Sequence, residues 1–145
     1  MASLKRLLKK KEYVKIPLEW TETHHFAVSA KINGVKGRFI LDTGASNTCV
    51  SFDKIEFFKL NSEASEIKAA GAGATNMETL ISTKNRIEIG TWKRKKLKLV
   101  LFDLVHVNEA LTAHNSPTVD GIIGADVLRM AKAVIDYGKN RLYLK

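Results

Sequence analysis

The chain has 145 residues, 45% hydrophobic and 27% charged, with a formal net charge of +9. Those numbers suit one domain with a single core and argue against two domains or a disordered tail. Its one cysteine, Cys49, excludes an internal disulfide, and with four scattered histidines it argues against a structural zinc site.

Residues 1–12 read as a basic N-terminal arm, with the domain running over residues 13–145. Leu4, Leu7 and Leu8 lie among Lys and Arg there, without the long apolar stretch and small-residue cleavage site of a secretory signal. Two readings stay open for the arm. One is a short amphipathic helix resting on an anionic membrane surface; the other is a frayed basic tail, because one or two turns of helix are marginal alone. No segment approaches the length of a membrane span, and the lone cysteine calls for no oxidising compartment, so a cytoplasmic location is expected.

Extended patterns begin at Tyr13. Val14, Ile16 and Leu18 alternate with Lys15, Pro17 and Glu19, and Pro17 marks an edge position. Residues 25–32 place Phe26, Val28, Ala30 and Ile32 on one face, and Asn33-Gly34 is a hairpin turn returning residues 35–41. That return strand ends in Phe39-Ile40-Leu41 and delivers Asp42-Thr43-Gly44-Ala45-Ser46; residues 48–52 are again extended. Residues 53–60 suggest a short helix or turn. Small residues at Ala70, Gly71, Ala72, Gly73 and Ala74 suggest the tip of a hairpin where a backbone can approach a ligand closely.

Residues 85–89 and 95–102 form a further strand pair about Gly90. Residues 105–119 read as a long loop with one helical turn around 108–112. Asp120-Gly121-Ile122-Ile123-Gly124 is a buried strand, a helix begins near Asp126, and residues 133–144 make a terminal hairpin. Many short strands with one late helix give a mainly β, barrel-like fold. The charge excess, in residues 5–11 and 93–98, suits a polyanion in principle. The second run alternates with Leu97 and Leu99, which makes it the solvated face of a strand and weighs against nucleic acid as the main partner.

The chemistry concentrates at Asp42. An apolar strand leads this carboxylate into a turn of small residues. Two carboxylates about 3 Å apart cannot both ionise, so a pair shares a proton; one then activates water while the other donates to a carbonyl. Asp-Thr-Gly is also an ordinary turn sequence, since Asp bonds its own backbone and Gly tolerates a positive φ. Asp120, Asp126 and Asp136 read as structural carboxylates, and Cys49 as a small buried apolar residue.

Asp42-Thr43-Gly44-Ala45-Ser46, followed by the glycine-bearing segment 70–74 and by Ile122-Ile123-Gly124, resembles the aspartic peptidases, and in length and element order the retropepsin type. The resemblance implies a retropepsin-like closed β barrel with a flap hairpin and one short C-terminal helix. It also implies an aspartic endopeptidase acting on a polypeptide substrate, with water activated by paired Asp42 carboxylates of a homodimer and no metal or other cofactor. Asp42, Thr43 and Gly44 would be catalytic, with Thr43 bracing the two catalytic loops. Ala45, Ser46, Ala70, Gly71, Ala72, Gly73, Ala74, Ile122 and Ile123 would bind substrate. The rivals are a retropepsin-like module that binds peptide without turnover and, on charge alone, a basic nucleic-acid-binding β domain.

Overall fold

Residues whose side chains alternate between core and water become strands. The computed structural model describes residues 3–64 and 79–145, and among them the strands form two sheets. β1 (Val14–Pro17) and β2 (Glu19–Trp20) arise from the first alternation, with Ile16 and Leu18 buried. β3 (Phe26–Ile32) buries Phe26, Val28, Ala30 and Ile32 and turns through Asn33 and Gly34 into β4 (Val35–Leu41). Both turn residues have positive φ, 51° and 83°, as in the hairpin turn whose twist matches that of the strands.

β5 (Cys49–Ser51), β6 (Glu63–Ala64), β7 (Leu80–Ile89), β8 (Trp92–Phe102) and β9 (Gly121–Ile123) complete the larger sheet. The order β3-β4-β9-β5-β8-β7 closes on itself, because β7 returns to β3 through Lys31↔Glu88 and Ile32↔Ile87. Six strands thus form a closed barrel, which leaves none of the six with a free edge. The smaller sheet has the order β1-β11-β10, with β10 (Val134–Asp136) and β11 (Arg141–Leu144), and Pro17 lies on its edge strand as a residue without N–H must. The mainly β, closed-barrel expectation is met.

Ile32, Phe39, Ile87, Leu99, Leu101 and Ile123 are fully buried in the main core. Ile40, Cys49, Val100, Phe102 and Ile122 belong to a second, smaller cluster with Leu104, Leu111 and Val119. The middle strands are therefore apolar on both faces, which is why they read as unbroken runs such as Phe39-Ile40-Leu41. Their outer face needs a cover, and α2 (Val105–Ala113) supplies part of it through Leu111. Here the structure departs from the sequence reading, which has a loop with a single helical turn. Asp103 Oδ1 accepts from the Val105 N–H at the helix start (2.9 Å). The Asn108 side chain bonds both the N–H and the carbonyl of Val119 (2.8 and 3.2 Å) and ties the helix to the strand entry.

Among the described residues there are two more α-helices. α1 (Leu4–Lys10) is capped by Ser3, whose Oγ accepts from the Arg6 N–H at 3.1 Å, and it buries Leu8, so the N-terminal arm is a docked helix and not a frayed tail. α3 (Ala125–Met130) is the expected late helix. Among the described residues no helix is long and apolar enough to cross a membrane. Ala70, Gly71, Ala72, Gly73 and Ala74, expected as a flap, lie outside the described residues.

One feature of the register positions the site. β4 and β9 run parallel, with Phe39↔Gly121, Ile40↔Ile122 and Leu41↔Ile123, so Asp42 and Gly124 leave the sheet side by side at the same end. Gly121 permits this packing: a Cβ there would lie 2.2 Å from the Cys49 carbonyl oxygen and 2.8 Å from the Phe39 ring. Gly121→Ala should therefore lower stability by about 3 kcal/mol, as overpacking a tight core does, measured as a shift in the urea midpoint at unchanged slope. A loss below about 0.5 kcal/mol would show that β5 and β9 separate freely.

Candidate active site

Asp42 is the first residue beyond β4. Its backbone N–H donates to the Ile123 carbonyl (2.9 Å), which extends the β4–β9 pairing one step past the strand. Its side chain then turns back over its own loop: the Gly44 N–H donates to Asp42 Oδ1 at 2.8 Å, and the Ala45 N–H donates to the Asp42 carbonyl at 3.2 Å. Asp42, Thr43, Gly44 and Ser46 are exposed, and Ala45 is half-buried. The carboxylate is thus fixed in direction by a backbone donor and open to solvent in the single chain.

Behind this turn lies a bonded brace. Gly124 has no Cβ, and one placed there would sit 2.7 Å from the carbonyl oxygens of both Ala45 and Asn47. The loop backbone consequently rests directly on the start of α3, where the Ala125 N–H donates to the Ala45 carbonyl at 2.7 Å. Thr48, fully buried, links the two sides. Its Oγ1 donates to Asp126 Oδ1 (2.7 Å) and accepts from the Gly124 N–H (3.0 Å), while its N–H donates to Asp126 Oδ2 (3.0 Å). Asp126 Oδ1 also accepts from the Val127 N–H at 2.8 Å.

Ile122 and Ile123 are buried, Ile122 in the outer cluster and Ile123 in the main core. What they do in the single chain is hold the turn from behind, Ile123 through its carbonyl. Asp120 accepts from the Arg38 N–H (2.9 Å) and faces Lys54 at 3.5 Å; Asp136 accepts from the Lys139 N–H (3.1 Å) in the β10–β11 turn. Both carboxylates, like Asp126, are structural. Cys49 donates to the Asn47 carbonyl, and burial, with smaller pushes from Asp126 and Asp42, drives its thiol up to about 12. It stays protonated and is no nucleophile at neutral pH. Among the described residues no three His, Cys, Asp or Glu side chains stand together as metal ligands.

A recess of about 160 Å³ adjoins the turn, lined by Asp42 and Thr43 together with Trp20, His24, His25 and Tyr137. Trp20 packs edge-on against Phe26 (4.9 Å between centroids), and Phe26 against Tyr137 (4.9 Å). Trp20 and Tyr137 nevertheless remain 46% and 66% exposed. His25 Nδ1 is 3.0 Å from Thr23 Oγ1, within a turn in which His24 has φ 61°. A larger groove of about 620 Å³ over Glu19, Ser29, Arg38 and Asp120 does not include Asp42 in its wall.

Sequence reasoning does not find this recess, because its rings come from three separate segments that only the fold brings together. Thr48 and Asp126 are equally hidden: a threonine before a strand and an acid at a helix start are common. The signal available was their joint position, one just after the Asp42 turn and one just after Gly124. Thr48→Val removes a donor from Asp126 and an acceptor from Gly124 at almost constant volume. It should cost about 3 kcal/mol in urea unfolding, whereas Thr48→Ser should stay within about 1 kcal/mol of the parent; equal effects would deny the hydroxyl its bracing role.

The family model described as aspartyl protease matches residues 28–127, a span that runs from β3 into α3 and contains both the Asp42 turn and the Gly124 brace. No curated protein matches the chain significantly. Among solved structures it resembles a retropepsin-like aspartic protease from Rickettsia conorii, with TM-score 0.58 and 21% identity, covering 91% of each chain. The EIAV protease complexed with the inhibitor HBY-793 is similar with TM-score 0.55 and 19% identity, over 76% of this chain and 90% of that one. The retroviral protease-like domain of Ddi1 from Leishmania major gives TM-score 0.56 and 17% identity, over 82% and 86%. At these identities the solved structures speak for a shared retropepsin-like fold, and the sequence match, which covers more than half of the chain, shows that this protein belongs to the aspartyl protease family.

Proposed function

We propose that this protein is an aspartic endopeptidase whose active site forms when the Asp42 turns of two copies meet. The observation that carries this is an exposed Asp42 carboxylate, oriented by the Gly44 amide and fixed to the barrel through Ile123, on a chain with one such turn. One carboxylate alone lacks the chemistry. With its twin it shares a proton: one Asp42 takes a proton from water as the oxygen attacks the scissile carbonyl, and the other gives its proton to the carbonyl oxygen. Collapse of the tetrahedral intermediate breaks the C–N bond, and a proton returned from the pair leaves with the amine. No covalent intermediate and no cofactor enter.

In this proposal the partner supplies the desolvation that the single chain lacks. Thr43, exposed beside Asp42, braces the two turns, and Gly44 holds each carboxylate in line. Ala45 and Ser46 form the floor for an extended polypeptide, which the segment containing Ala70, Gly71, Ala72, Gly73 and Ala74 covers, bonding to its main chain as an added strand would. Ile122 and Ile123 act from behind the turn. The exposed rings of Trp20 and Tyr137 offer apolar surface next to Asp42 for burial by substrate or by the second copy.

Asp42→Asn keeps the oxygen that accepts from Gly44 but cannot take the proton of water. Cleavage of an unfolded substrate, assayed from acidic to neutral pH, should fall about a thousandfold or more, with the melting temperature within about 2 °C of the parent. Full activity in that variant would end the proposal, and tight peptide binding without turnover in the parent would leave a binding module. Because each chain holds half a site, activity per chain should also fall in proportion to concentration below the dimer dissociation constant, measured alongside solution mass. Constant specific activity in a strictly monomeric sample would contradict the pairing.

A further inference from the structure

The N-terminal helix is charged in a way that neither the barrel nor the Asp42 site uses. Residues 5–11 carry five cations, Lys5, Arg6, Lys9, Lys10 and Lys11, and no acid. The helix is held in place: Leu8 is 5% exposed, the Ser3 cap closes its first turn, and the Lys11 N–H bonds the Leu7 and Leu8 carbonyls. Just beyond it, the Tyr13 N–H donates to the Leu8 carbonyl (3.0 Å), and the Tyr13 hydroxyl donates to the Lys132 carbonyl (2.9 Å). The helix therefore presents a fixed outer surface.

That surface combines two features. Leu4 and Leu7 are 41% and 46% exposed, and at spacing i, i+3 they stand side by side on the helix. Lys10 and Lys11, three and four residues beyond Leu7, neighbour the same stripe. The body adds charge to it, since Lys15 on β1 lies close enough to Lys5 and Arg141 for their repulsion to hold its ammonium below the usual lysine pKa. A folded protein that gathers like charges in this way gains when a counter-charge arrives.

Charge selects an anionic partner, and the leucines select among anions. A phosphate backbone rewards lysine and arginine but has nothing for two solvent-facing leucyl side chains. An anionic bilayer rewards both, with cations at the headgroups and leucines at the acyl boundary. We infer that α1, with Leu4 and Leu7 flanked by Lys and Arg and backed by Lys15 and Arg141, is a docking surface for an anionic membrane.

The test is flotation of the intact protein with vesicles of pure phosphatidylcholine, or of phosphatidylcholine with about 30% phosphatidylserine. The protein should bind the anionic vesicles at least about tenfold more tightly than the neutral ones, and binding should weaken steeply with salt. The double variant Leu4→Ser/Leu7→Ser leaves Leu8 and every cation in place; it should keep the parent melting curve and lose about tenfold in vesicle affinity. Asp42→Asn should bind like the parent, so the outcome is independent of peptidase activity. Equal or absent binding to both vesicle types would overturn the inference. So would an unchanged vesicle affinity in the double variant accompanied by equally tight binding to random duplex DNA, which would mark the patch as a nucleic-acid surface.

Discussion

The site depends on a contact between backbone and backbone. The carbonyls of Ala45 and Asn47 lie where any side chain at position 124 would have to be, and the Ala45 carbonyl takes the Ala125 N–H. Such contact is possible only because β4 and β9 run parallel and neighbouring, bringing the two chain segments out of the barrel at one end. Once they touch, little freedom remains. Asp42 is tied to Ile123, Thr48 to Asp126 and Gly124, and the direction of the carboxylate follows from bonds made behind it. Under the proposed pairing of two Asp42 carboxylates this stiffness would matter, since an error of about 1 Å in position removes much of the benefit of proximity.

The barrel and the brace also explain each other's composition. A strand apolar on both faces cannot alternate, and leaving its outer face in water would cost free energy unless something covers it. Ile40, Cys49, Val100 and Ile122 are covered in this way, by Leu104, Leu111 and Val119. Cys49 illustrates the consequence: in this apolar layer, with two carboxylates not far away, its thiol stays protonated and serves as packing. The chemistry of the end of the barrel thus rests on an inert layer a few residues back along the same strands.

Much of the fold could be read from local pattern because local pattern caused it. Phe26, Val28, Ala30 and Ile32 share a face, Asn33 and Gly34 supply the two positive φ values, and Asp42-Thr43-Gly44 leaves an apolar strand. What stayed hidden depends on partners distant in sequence. α2 contains the weak helix formers Val105, Val107, Asn108 and Thr112 and is needed only once β4, β5, β8 and β9 present an outer apolar face, and Asn108 gains its role by meeting Val119. Thr48 and Asp126 are separated by 78 positions. Trp20, His25 and Tyr137 share a wall with Asp42 only because the β10–β11 turn folds back toward β2 and β3.

The two basic runs show why charge has to be judged with its apolar neighbours. In β8, Lys93, Lys95, Lys96 and Lys98 are exposed, while Trp92, Leu97 and Leu99 turn inward and are buried. That strand satisfies its own apolar half, and its lysines need only water. α1 has the same richness in cations but commits only Leu8 to the interior, with Leu4 and Leu7 left outside. Exposing leucine costs free energy, and a single residue of this kind needs no explanation. Two of them adjacent on a helix that is capped, docked and ringed by cations differ from a solvated strand face in one respect: they have apolar surface still to bury.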